Sequence, residues 1–88
     1  MSEDVRRQIA VALQYEAPGV PRVTASGRGT LAEAILAAAR EHNIPIEENP
    51  ALAEALAKVE VDTEIPEQLY RAVAEVLSFV LRATGKLK

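Results

Sequence analysis

The sequence predicts a small α/β (α+β) domain, a mixed sheet of three to four strands packed by about three helices in the order β-β-α-β-α-α. Three observations carry that expectation. Ile9, Val11, Leu13 and Tyr15 alternate with Ala10, Ala12, Gln14 and Glu16, which is the period of two of a strand. Two later stretches, led by Leu31 and Leu69, repeat their apolar residues at helical spacing instead. The length, 88 residues, supports one hydrophobic core and not two.

Taken in order, the first strand runs from Ile9 to Tyr15 and ends in Glu16-Ala17-Pro18-Gly19, a run with turn chemistry. Arg22 to Ser26 alternates again, with Val23 and Ala25 expected on one side, so the two segments read as an antiparallel pair. Gly27-Arg28-Gly29 breaks the second strand. Thr30 followed by Glu33 has the form of a capping box opening a helix whose buried stripe is Leu31, Ile35, Ala38 and Ala39. Asn43 tolerates the left-handed conformation that ends helices. Ile44-Pro45-Ile46 then reads as a short edge strand, because a proline cannot donate to a central ladder. Asn49-Pro50 pairs an N-cap with a first-turn proline and starts a short helix presenting Leu52, Leu56 and Val59. Ile65-Pro66 opens the last helix, with Leu69, Val73, Val76, Leu77 and Val80 on its inner face and Arg71, Glu75, Ser78 and Arg82 opposite. Residues 1–8 form a charged leading segment, 9–84 the domain and 85–88 a tail.

Composition narrows the function. With 0 Cys there is no disulfide, thiolate metal site or cysteine nucleophile, and a cytoplasmic location is the default. No apolar run approaches the roughly 20 residues that cross a bilayer, so membrane insertion is not expected. The net charge of -3 lacks the basic surplus that binds phosphate backbones, which argues against a nucleic-acid partner.

Catalytic candidates are weak throughout. His42, the one His, sits near a helix C-terminus, where the dipole favours a capping or surface role. Glu47 and Glu48 are neighbours on a segment read as strand, so they point to opposite faces and cannot share a proton. Gly27-Arg28-Gly29 lacks the longer phosphate-loop pattern and reads as a turn. One His and no Cys make a poor metal site. The sequence therefore assigns no catalytic, cofactor or metal residue, and the expectation is a chain that is not an enzyme.

Binding candidates are better. Between Glu47 and Glu67, seven acids face Lys58 alone, leaving that segment at -6 while the rest of the chain is +3. Glu60, Asp62, Glu64 and Glu67 are thus a candidate docking patch for a basic partner, against the plainer reading of a solvated surface. Phe79 falls beside the polar strip of the last helix and is a candidate binding anchor, whereas Tyr70 is expected to pack in the core.

The ordered segments Val11-Ala12-Leu13-Gln14-Tyr15, Pro21-Arg22-Val23, Ile44 to Ala53 and Glu64 to Leu77 resemble the cytoplasmic domain of the FlhB/YscU family of flagellar and type III secretion export proteins. The resemblance covers about Ile9 to Ala83 and is most specific in its last segment. It implies a protein-binding module related to a domain that switches export between substrate classes, with export components or export substrates as partners. The family carries a self-cleaving Asn-Pro-Thr-His loop before the Val-Ala-Leu strand. Here Val5-Arg6-Arg7-Gln8 stands at that place, so the resemblance does not extend to self-cleavage. Asn49-Pro50 matches the family's later helix-opening segment. The alternative function is a small cytoplasmic adaptor or scaffold unrelated to secretion.

Overall fold

The computed structural model of the protein describes residues 8–16 and 18–83. Most of the leading segment and all of the tail expected from the sequence, together with Val5-Arg6-Arg7, lie outside the described residues. The elements are β1 (Ile9–Gln14), β2 (Arg22–Arg28), α1 (Thr30–Glu41), α2 (Pro50–Ala57), a 3-10 turn (Glu67–Leu69) and α3 (Tyr70–Ala83). The α+β class is as the sequence predicts, but the sheet has two strands among the described residues, fewer than expected.

β1 and β2 pair antiparallel with Ile9 opposite Arg28, Ala10 opposite Gly27 and Val11 opposite Ser26. A bulge between Ala12 and Leu13 shifts the ladder, so that Ala12 faces Ala25 while Leu13 faces Val23. Directly opposed residues share a sheet face and successive residues do not. The bulge therefore puts Val23 and Ala25 on opposite faces, against the simple alternation expected. It also gives the sheet one bulky face, with Val11, Leu13 and Val23, and one small face, with Ala10, Ala12, Ala25 and Gly27.

The core forms on the bulky face. Val23, Leu52, Leu56, Ile65 and Val73 make one buried cluster, and Val11, Leu13, Val20, Val59, Leu69, Val76 and Leu77 pack around it. On the small face a Cβ at Gly27 would lie 2.3 Å from Leu31 Cγ, so the missing side chain is what lets α1 approach. That close seat changes the helix stripe. Ala32 is fully buried, while Leu31 is 55% exposed and Ala38 is exposed, in place of the Leu31-Ala38 stripe expected.

Helix ends explain two further departures. β2 continues through Gly27 and Arg28, and Gly29, at φ 62, is the N-cap of α1. Glu33 N–H donates to the Gly29 carbonyl at 3.0 Å, and no side chain caps this end. Thr30 is already helical, so the expected capping box is absent: a glycine in the left-handed region starts the helix one residue early. At the other end Asn43 is left-handed, at φ 59, as expected. Asn43 N–H donates to Arg40 O at 3.2 Å and Ile44 N–H to Ala39 O at 2.8 Å, the bond pair of a Schellman motif.

That motif removes the third strand. Ile44 N–H is spent on the helix end and Pro45 has no N–H, so two of the three positions in Ile44-Pro45-Ile46 offer no donor to a ladder. The segment is extended connector instead, with Ile44 55% and Ile46 42% exposed.

Asn49 caps α2 as predicted: its Oδ1 accepts Leu52 N–H at 3.1 Å, and Pro50 occupies the first turn. Asn49→Ala is expected to cost about 1 kcal/mol. The purified chain should meanwhile run as one intact mass, since the Asn49 side chain is engaged as a cap. Fragments joining at Asn49-Pro50 in an intact-mass spectrum would refute that role.

Candidate functional site

The turn after β1 and the start of α3 build an apolar groove. Gly19 N–H donates to Glu16 O at 2.8 Å, which closes the turn and swings Val20-Pro21 back toward the core. Pro21 O accepts Ile65 N–H at 3.0 Å, which fixes Ile65, 3% exposed, as the floor. Tyr70, Ala74 and Leu77 follow at i, i+4 and i+7 of α3 and form the facing wall. Tyr15 and Tyr70, 40% and 42% exposed, stand on the walls of the resulting space of about 400 Å³, together with Val20 and Pro21.

Tyr70 is thus a correction to the core expected from the sequence. Its place at the start of α3, just after the 3-10 turn, leaves it beside the groove and not beneath the sheet. The opening is apolar with hydroxyls on its walls, a combination that suits apolar side chains and the occasional hydrogen bond.

Phe79, the candidate anchor, is 59% exposed. It lies on a shallow surface with Arg71, Glu75 and Arg82, and this surface shares Ala74 and Ser78 with the groove. The groove and the Phe79 strip are therefore adjoining parts of one outward side of α3.

The acidic candidates Glu60, Asp62, Glu64 and Glu67 are all exposed. Three of them belong to the connection between α2 and the 3-10 turn, and Glu67 begins that turn. Hydrogen bonds fasten the connection to β2: Asp62 N–H donates to Val23 O at 2.6 Å, Val23 N–H to Thr63 O at 3.0 Å and Arg22 Nη1 to Asp62 O at 3.2 Å. Asp62 turns through φ 74, a region that Asp tolerates better than most residues. Glu64 directly precedes the groove floor residue Ile65, and Glu67 follows it by two positions. His42 is the exposed C-cap of α1, and Glu47 and Glu48 lie on the exposed connector before α2.

Sequence reasoning missed the groove residues Tyr15, Val20, Pro21, Tyr70, Ala74 and Leu77. The available signal was a surplus: the apolar arc of α3 from Tyr70 to Leu77 extends past the residues packed on the core, Val73, Val76 and Leu77, to Tyr70 and Ala74.

Comparison with known proteins fits this architecture. The profile described as the FlhB HrpN YscU SpaS Family matches residues 7–80. The protein YlqH of Bacillus subtilis (strain 168) is 38% identical over 90 residues, covering 100% of this chain and 97% of YlqH. The flagellar biosynthetic protein FlhB of Salmonella typhimurium is 46% identical over 74 residues, 81% of this chain but 19% of FlhB. The chain thus spans about a fifth of the length of that relative. Among solved structures, the cytoplasmic domain of FlhB from Shewanella putrefaciens matches with a TM-score of 0.80 at 40% identity, over 85% of this chain and 65% of that one. The PscU C-terminal domain matches with a TM-score of 0.77 at 34% identity, over 81% of this chain and 94% of that one. In sequence and in fold, this chain belongs to the FlhB HrpN YscU SpaS family, matching the part of it solved as a cytoplasmic, C-terminal domain.

Proposed function

We propose that this chain is a non-catalytic docking module of the flagellar or type III export machinery, acting in the cytoplasm. Its groove would receive an apolar segment of an export component or export substrate. The groove carries this reading: a buried apolar floor, two half-exposed tyrosines and an open mouth form a receptor for side chains, and among the described residues that line it no nucleophile is hydrogen-bonded to a base. Family membership supports the export setting. No described helix is long and apolar enough to cross a membrane, which is consistent with a partner reached from the aqueous side.

The test is capture of purified export-gate components and purified export substrates on the immobilised chain. Saturable binding to one of these classes is expected. Absence of binding to all of them would favour an adaptor unrelated to secretion.

Charge should set the speed of docking. Glu60, Asp62, Glu64 and Glu67 form an exposed acidic segment, two of whose members flank the floor residue Ile65 in sequence, and such a segment would favour apolar partners flanked by basic residues. Joint replacement (Glu60→Gln, Asp62→Asn, Glu64→Gln, Glu67→Gln) should slow association about ten-fold at low salt and flatten its salt dependence, with dissociation little changed. Asn keeps the left-handed turn at position 62, so the fold should survive. Unchanged stopped-flow association at low ionic strength would reduce the patch to ordinary solvated surface.

A further inference from the structure

The outer edge of β1 has no part in the docking groove and no strand partner among the described residues. Gly29 N–H donates to Gln8 O at 2.9 Å, which makes Gln8 and Gly29 a hydrogen-bonded pair at the end of the ladder. Antiparallel ladders alternate, so Ala10 and Ala12 turn their main-chain groups toward β2, while Ile9, Val11 and Leu13 turn theirs outward.

The edge of β2 on the far side is treated differently. There the segment Asp62 to Ile65 supplies hydrogen bonds to Val23 and Pro21 and a bridge to Arg22. β1 lacks two common guards of an exposed edge, since it holds no charged residue and no proline. The connector between α1 and α2, residues 42–49, is exposed throughout and makes no backbone hydrogen bond with β1.

The edge is also self-complementary. Ile9-Ala10-Val11-Ala12-Leu13 reads bulky, small, bulky, small, bulky in either direction. If a second copy runs antiparallel with its Val11 opposite Val11, then Ile9 meets Leu13 and Ala10 meets Ala12. Every residue with outward main-chain groups then faces another of the same kind, giving about six new hydrogen bonds. Bulky and small faces also continue from one copy into the next without a register conflict.

We infer that two copies of this chain pair through β1 into one four-stranded antiparallel sheet, with the two-fold axis at Val11. This surface and the groove are separate, so neither inference depends on the other.

Sedimentation velocity of the purified chain should show a monomer–dimer equilibrium across the micromolar range. The sequence has 0 Cys, so Gln14→Cys carries a single spin label. Residue 14 lies three positions from the axis, so the two labelled backbones should be about 20 Å apart along the strands, six residues at about 3.3 Å each. Ile9→Pro and Val11→Pro each remove an outward N–H without touching the ladder to β2 and should weaken association about ten-fold or more. Ile9→Pro, at the first strand position, should keep the wild-type circular dichroism and thermal transition even if Val11→Pro does not. A chain that stays monomeric throughout, including one that takes a strand only from a full-length relative, overturns self-pairing. So does a dimer that Ile9→Pro leaves undiminished while the fold is intact, or a label distance that fits another register.

Discussion

Leu56→Ala should bring the domain close to unfolding. Leu56 is 4% exposed in the last turn of α2 and belongs to the cluster with Val23, Leu52, Ile65 and Val73. Truncation removes its transfer free energy and leaves a void among neighbours that belong to four separate segments and cannot all collapse inward, a loss of about 3 kcal/mol. A domain of this size has on the order of 5 kcal/mol in total. The thermal midpoint should accordingly fall by about 15 °C. Phe79→Ala, at 59% exposure, should cost no more than about 0.5 kcal/mol and serves as the control. Equal losses for the two variants in a urea titration would mean that the core is not centred on the bulky sheet face.

Ala74→Glu should abolish docking without loss of structure. Ala74 is exposed on α3 and belongs to the wall shared by the groove and the Phe79 strip. Glu is a good helix former, so α3 should persist. A carboxylate there, however, would be stripped of water each time an apolar segment entered the groove, and nothing on that wall pairs with it except Arg71 and Arg82 at its outer side. The expected loss of affinity is about 100-fold, or about 3 kcal/mol. Ala74→Ser, of similar size and uncharged, should lose about three-fold or less. Titration calorimetry with a bound export protein would separate the two. Similar affinities for both variants would place the contact elsewhere.

Local rules recovered a good part of this molecule because they were written in single residues. The alternation from Ile9 to Gln14, the left-handed Asn43 and the Asn49-Pro50 cap each depend on a few neighbouring side chains. Features that failed to show were set by distant partners. The Thr24 region bulge exists because Leu13 must meet Val23 over the core, and it reverses the face of Ala25. The missing strand at Ile44-Pro45-Ile46 is the local exception, since the end of α1 claims Ile44 N–H through Ala39 O. The exposure of Phe79 was legible because it falls beside the polar strip of α3. The groove was not, since Val20, Pro21 and Tyr70 come together only when Ile65 bonds to Pro21 and seats α3.

Docking through the groove is the role in export proposed for this family member. It is tested most directly in cells whose own full-length relative has lost the matching C-terminal part, with this chain supplied as a separate polypeptide and protein export measured. The wild-type chain should restore export, and Ala74→Glu, folded and present at the same level, should not. No restoration by the folded wild-type chain, or equal restoration by Ala74→Glu, would contradict it.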